Sequence, residues 1–147
     1  MKKIPPPLIM LVGLMLEYLL NRYWPIVSFD AVALRLLGYL FVAIAVVLNI
    51  AAIRLFMKQK TTIVPHGKPS KLVVDGPYRL TRNPMYLALL CVLIGVATLF
   101  GSLSLYLIPI AFVFIINTVF IRMEEANMST KFGDQYALYS AKVRRWL

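Results

Sequence analysis

Apolar residues run in four long blocks along this chain, separated by short stretches rich in proline, glycine and charge. The blocks span about Pro7 to Val27, Ala31 to Met57, Pro84 to Phe100 and Leu103 to Ile121. A membrane-crossing helix needs roughly 20 mostly apolar residues, so each block is expected to be a transmembrane helix. Pro5, Pro6 and Pro7 set the start of the first, because proline fits the first turn of a helix but not its interior. Pro25 ends it. The second block would be about 40 Å long at roughly 1.5 Å per residue. That exceeds a hydrocarbon core of roughly 30 Å, so the helix must tilt or project into the cytosol. Gly101-Ser102 forms a short turn between the third and fourth. The fourth is expected to kink at Pro109 and to continue as helix beyond the membrane.

Composition agrees. Of 147 residues 61% are apolar and the mean hydropathy is +0.78, well above a soluble domain. A single domain over residues 1–147 is expected. The Met-Lys-Lys opening resembles a signal peptide, but no small-residue cleavage site follows and Glu17 interrupts the apolar run. A retained helix is the reading. The fold class is therefore an all-α integral membrane protein: four transmembrane helices, a cytoplasmic loop and a C-terminal interfacial helix.

The net charge of +10 is unevenly placed. Lys2, Lys3, Lys58, Lys60, Lys68, Lys71, Arg79, Arg82, Arg122, Lys131, Lys142, Arg144 and Arg145 fall on one side, and only Arg22 and Arg35 on the other. This asymmetry puts both termini and the 58–83 loop in the cytoplasm. The membrane would be the inner membrane of a bacterium or the endoplasmic reticulum of a eukaryote. Bases next to anionic headgroups add about 1 kcal/mol each, so membrane lipids rather than nucleic acid account for the charge. Cys91 is the sole cysteine and allows no intramolecular disulfide. There is no metal-ligand cluster, phosphate loop, Ser-His-Asp set or Rossmann fingerprint.

Two polar patches carry candidate chemistry. Arg82-Asn83-Pro84 opens the third block. Asparagine is a strong N-cap residue and proline is favoured after it, so the helix should start here with Asn83 as its cap. Its free N–H groups and positive dipole end, with Arg79 and Arg82 nearby, suit a carboxylate. A capped helix end flanked by lipid-binding arginines accounts for the same residues. Glu124 and Glu125 follow the fourth block at the same membrane face. They could accept ribose hydroxyls or pair with an amine, or form a solvated face paired with Lys131 or Arg122. Glu17 and Asn21, at i and i+4, are read as structural, and Asn49 and Asn117 as lining a cytoplasmic pocket or joining helices. His66 is read as an exposed loop residue. Beyond Phe132-Gly133, with glycine in a left-handed cap and Asp134 capping the next helix, Tyr136, Tyr139, Val143 and Trp146 share one face of an amphipathic helix. With Lys142, Arg144 and Arg145 beside them, they favour the membrane interface.

Taken together, Gly76-Pro-Tyr78-Arg-Leu-Thr-Arg82-Asn83-Pro84-Met85-Tyr86, then Glu124-Glu125, Phe132-Gly133, Tyr136, Tyr139 and Val143-Arg144-Arg145, resemble the isoprenylcysteine carboxyl methyltransferase and phospholipid methyltransferase superfamily. The likeness covers roughly residues 58 to 145. Asn83 stands where the family usually has histidine. The resemblance implies an integral membrane methyltransferase using S-adenosylmethionine. It implies a lipophilic or amphiphilic acceptor: an isoprenylcysteine carboxylate, a thiol or a phospholipid amine. It places the cofactor on Leu72, Val73, Tyr78, Asn83, Pro84, Met85, Tyr86 and the Glu124-Glu125 pair, with Ser70 and Lys71 in the same stretch. It gives Arg122 and Glu125 as catalytic. Two other readings compete: a reductase-like relative binding NADPH, and a non-enzymatic four-helix scaffold with a basic lipid-binding face.

Overall fold

The computed structural model describes residues 4–58 and 71–147. Residues 59–70 of the 58–83 loop, His66 and Ser70 among them, lie outside the described residues. Among those described, six α-helices follow in order: α1 Pro6–Tyr23, α2 Val32–Lys58, α3 Pro84–Phe100, α4 Leu107–Ile115, α5 Arg122–Phe132 and α6 Asp134–Lys142. Short 3-10 turns at Gly76–Arg79 and Leu103–Tyr106 precede α3 and α4, and a π-helical stretch, Ile116–Ile121, joins α4 to α5. The described residues contain no strand, only an isolated bridge between Ser28 and Ser102.

Two expectations about helix shape need correction. The first helix ends at Tyr23, just before the Pro25 read as its end and short of the Val27 limit of its apolar block. The residues after it are engaged elsewhere: Ser102 Oγ accepts from the Ile26 N–H and donates to the Ile26 carbonyl, each at 3.1 Å. Pro109 does not kink the fourth helix. It lies in the first turn of α4, where a missing N–H costs no intrahelical bond. The irregularity comes later, in the π-helical stretch that carries Asn117.

α2 and α3 meet through small residues. Gly38, Ala45 and Ala52 recur every seventh residue along α2 and are its buried positions. A Cβ at Gly95 would stand 2.9 Å from the Gly38 carbonyl oxygen. Lipid tails are as apolar as leucine, so such helices are held by close packing, which small residues permit. Gly101 ends α3 in the left-handed region, φ 68°, where a side chain would also strike the Phe29 carbonyl. α1 lies against α3 and α4, its Gly13 facing Leu93 and Ile108. One turn on, Glu17 is fully buried, as expected of an ionisable residue at this depth. Neither of its carboxylate oxygens bonds to Asn21 or to any other described residue.

α2 and the run Leu103–Phe132 are long and apolar enough to cross a membrane. α3 is apolar but has 17 residues, and α1 carries Glu17 and Arg22. In the second run the apolar part ends at Ile121, and α5 continues it as a polar helix.

Candidate functional site

α3 begins where the sequence placed it. Pro84 is its first residue, and the Asn83 carbonyl accepts the Leu87 N–H at 2.9 Å. The expected side-chain cap is not formed. Asn83 Nδ2 donates instead to the Arg145 carbonyl at 2.9 Å. The cause is the chain beyond α6, which runs alongside residues 81–83 and presents its carbonyls there. Thr81 Oγ1 donates to the same Arg145 carbonyl at 3.0 Å and accepts the Asn83 N–H at 3.2 Å. The Arg82 N–H donates to the Arg144 carbonyl at 2.9 Å.

The tight turn at Gly101 sends α4 and α5 back along α3, which brings the two glutamates to its start. They then diverge, as adjacent helical residues do by about 100°. Glu124 Oε1 accepts the Tyr86 hydroxyl at 2.7 Å. Glu125 is gripped by two arginines. Arg82 approaches Oε1 at 3.1 Å, and Arg145 closes a fork with Nε to Oε1 at 3.1 Å and Nη2 to Oε2 at 2.6 Å. Fork geometry makes this a strong, oriented pair. The side chains of Arg82 and Glu125 are only 15% and 20% exposed. Arg82 also lies over the Tyr136 ring, 6.0 Å from its centroid, and donates to the Tyr136 hydroxyl at 3.3 Å.

Electrostatics separates the two acids further. Burial raises the Glu124 carboxyl to about 7; the Tyr86 hydrogen bond opposes this, and neighbouring Glu125 adds to it. The Arg145 guanidinium is raised by its bond to Glu125. Tyr78 is held well above the usual phenol range by burial, then by Tyr139 and Glu124, so it stays neutral. Its ring stands edge-on to Phe56 at 5.7 Å, and its carbonyl accepts the Tyr139 hydroxyl at 2.7 Å.

The other expected site residues are scattered in depth. Val73, Pro84 and Tyr86 are buried, Leu72 and Met85 half-buried, and Lys71 exposed. Arg122 is exposed at the start of α5. The arginines seen to reach the acidic pair are Arg82 and Arg145. The aromatic face expected to meet lipid is turned inward: Tyr136 packs under Arg82, Tyr139 bonds to Tyr78, and the Trp146 indole donates to Asn117 Oδ1 at 3.1 Å. Gly133, at φ 48° and ψ −122°, precedes α6 outside the left-handed helical region, and Asp134 is the first residue of that helix rather than its cap. Thr81, Arg145 and Trp146 entered the site without a sequence signal for their contacts. Each makes a contact with a residue more than 25 positions away: Thr81 with Arg145, Arg145 with Asn83 and Trp146 with Asn117.

Comparison with known proteins bears on the family. The phospholipid methyltransferase family model matches residues 33–135. An uncharacterized protein of Haemophilus influenzae is 43% identical over 63 residues, which is 43% of this chain and 100% of that protein. No solved structure matches. The family match runs from α2 through the start of α6 and takes in the first motif and both glutamates; the chain belongs to the phospholipid methyltransferase family, a family of membrane methyltransferases.

Proposed function

We propose that this protein transfers a methyl group from S-adenosylmethionine to a lipophilic or amphiphilic acceptor held at the membrane. The observation that carries this is the meeting of the first turn of α3 with Glu124, bridged by Tyr86 at 2.7 Å. The cofactor carries both signs of charge, and the residues present fit it. Glu124 offers negative charge beside the apolar Tyr86 and Phe120 rings, which lie 6.5 Å apart. The start of α3, with no side-chain cap, offers N–H donors and the positive end of a helix dipole. On this reading the Met85 and Tyr86 N–H groups take the carboxylate, and Glu124 takes the ammonium or the ribose hydroxyls. Leu72, Val73 and Tyr78, with Ser70 and Lys71 upstream, flank the nucleoside. Glu125 is committed to Arg82 and Arg145, and holds them rather than the cofactor.

When bound, S-adenosylmethionine supplies a methyl group already activated on a sulfonium. The protein's share is to align the reactants and exclude water. Carboxylate and thiolate acceptors need no base. For an acceptor that arrives as an ammonium, Glu124 is the group at the site with a matched proton affinity.

Isothermal titration in detergent tests the reading. S-adenosylhomocysteine should bind and NADPH should not. Binding of NADPH alone would make the protein reductase-like, and binding of neither would leave a scaffold. pH gives a second signature. The Glu124 carboxyl is raised in the folded protein, so between about pH 4.5 and 7 the native state holds the extra proton and this group's contribution to stability falls as pH rises. A cationic ligand favours the ionised form. Affinity for S-adenosylmethionine should therefore rise from pH 6 to 8 and level off above, by at most about tenfold per unit. Glu124→Gln should flatten that profile. A Glu124→Gln protein with the parent's slope would remove Glu124 from the site.

We further infer that α1, α2, α3 and the Leu103–Ile121 stretch all cross the bilayer, with the motif-bearing end and both termini cytoplasmic and bases against anionic lipid. Cysteines at exposed Tyr23 and Leu138, in a Cys91→Ala background, should be labelled from opposite sides of the membrane. Labelling of both from one side would refute the four-span arrangement.

A further inference from the structure

The chain beyond α6 leaves helical geometry at Val143, φ −118° and ψ 129°, and crosses the site as an extended strap. Three consecutive residues of it are tied to three separate elements. The Arg144 and Arg145 carbonyls accept from the Arg82 N–H, Thr81 Oγ1 and Asn83 Nδ2. The Arg145 side chain forks onto Glu125 of α5. The Trp146 indole donates to Asn117 in the π-helical stretch, and its ring packs against the cluster containing Tyr86 and Phe120. One effect of the strap falls on Asn83. An asparagine at this position strongly favours capping its own helix. Here the Arg145 carbonyl holds its amide instead, so the carboxamide oxygen does not occupy the first-turn N–H groups.

We propose that the Arg144–Trp146 strap is a positioning element of the cofactor site: docked, it draws the Asn83 side chain off the start of α3 and packs the Trp146 ring against the apolar cluster that includes Tyr86. This rests on the reading of the site given above. Undocking would let Asn83 cap α3 and compete with the ligand carboxylate for the same donors. It would also remove the apolar support of Tyr86, and through it the orientation of Glu124. The strap makes no contact with the reacting groups on this account and acts only through Asn83, Glu125 and Tyr86.

The protein has two tryptophans, Trp24 and Trp146. Trp24→Phe leaves Trp146 as a reporter of the strap that needs no ligand. In that protein Trp146 emission should be shifted to short wavelength and poorly quenched by acrylamide. Arg145→Ala should release it and weaken S-adenosylhomocysteine binding by about tenfold or more, the scale of lost charge-assisted bonds. Adding Asn83→Ala to Arg145→Ala should then recover part of that affinity, because the competing cap is gone. A purely structural strap would show no such recovery. Trp146→Phe, made in the wild-type chain, keeps an aromatic ring but loses the N–H and the fused five-membered ring; it should weaken binding by about fivefold with only a small drop in melting temperature. The proposal is overturned if Trp146 is already exposed in the parent, or if it is freed with affinity unchanged. It is equally overturned if Asn83→Ala deepens the loss instead of relieving it. Failure of the parent to bind S-adenosylhomocysteine at all would instead refute the functional reading and the cofactor half of this inference, whatever Trp146 reports.

Discussion

Glu125→Gln will loosen the whole motif-bearing end of the bundle. The substitution keeps size and one acceptor but removes the charge that Arg82 and Arg145 share. Arg82 is mostly buried, and its Nε already lacks a partner among the described residues. Taking away its anion therefore leaves a poorly solvated cation, the costly way to break such a pair. Arg145 is 38% exposed, and solvent offsets part of its loss. A net destabilisation of about 2 kcal/mol is expected, with S-adenosylhomocysteine affinity down about tenfold or more because the strap and the α3 start are released together. Glu124→Gln should behave oppositely. It removes a buried ionisable group with a single bond to Tyr86, so the melting temperature at neutral pH should hold or rise while the pH dependence of binding vanishes. Thermal melts in detergent, paired with titrations, separate the two. Equal melting temperatures for Glu125→Gln and the parent would show that the arginine clamp contributes nothing.

Gly95→Val will cost more stability than any surface change in the bundle. A first side-chain atom there would meet the Gly38 carbonyl oxygen and Val42 Cγ2 at 2.9 Å, and Phe41 Cβ at 3.3 Å. The nearest obstacle is backbone and cannot rotate away, so α2 and α3 must separate. Separation would also loosen the packing of Ala45 against Ala88 and Cys91. Overpacking of this kind costs about 3 kcal/mol, and in lipid no hydrophobic gain between helices offsets it. Gly133→Ala is the control. Nothing lies within 4 Å of its would-be Cβ, so only the backbone strain of φ 48° and ψ −122° remains, about 1–3 kcal/mol. A Gly95→Val protein as stable as the parent would mean that the α2–α3 crossing is not the tight contact described.

Local chemistry was legible where a residue type has few options. Pro84 and Gly101 bounded α3 at both ends as read, because proline fits a first turn and glycine tolerates the left-handed exit. Glu17 faced inward as an ionisable residue in an apolar helix must. Both polar motifs met at one end, because two antiparallel helices joined by a tight turn return the chain to its starting level. Asn83 shows where local reasoning stops. Its preference for capping is worth about 1 kcal/mol, and a carbonyl arriving from residue 145 offered it a different bond. The inward turn of Tyr136, Tyr139 and Trp146 has the same origin. An amphipathic face records only that something apolar covers it, not whether that is lipid or protein.

By itself, then, the amino-acid order determined the helical class, the helix boundaries set by proline and glycine and the two motifs that carry the family likeness. Those follow from forces acting within a few residues, or from sums over the whole chain. The different partners of Glu124 and Glu125 were decided only by the tertiary structure. So were the pairing of Glu125 with arginines 43 and 20 positions away, the π-helical placement of Asn117 and the strap that joins them. These depend on where distant segments meet, and adjacent glutamates with the same local preferences are told apart only by what the fold puts in front of each.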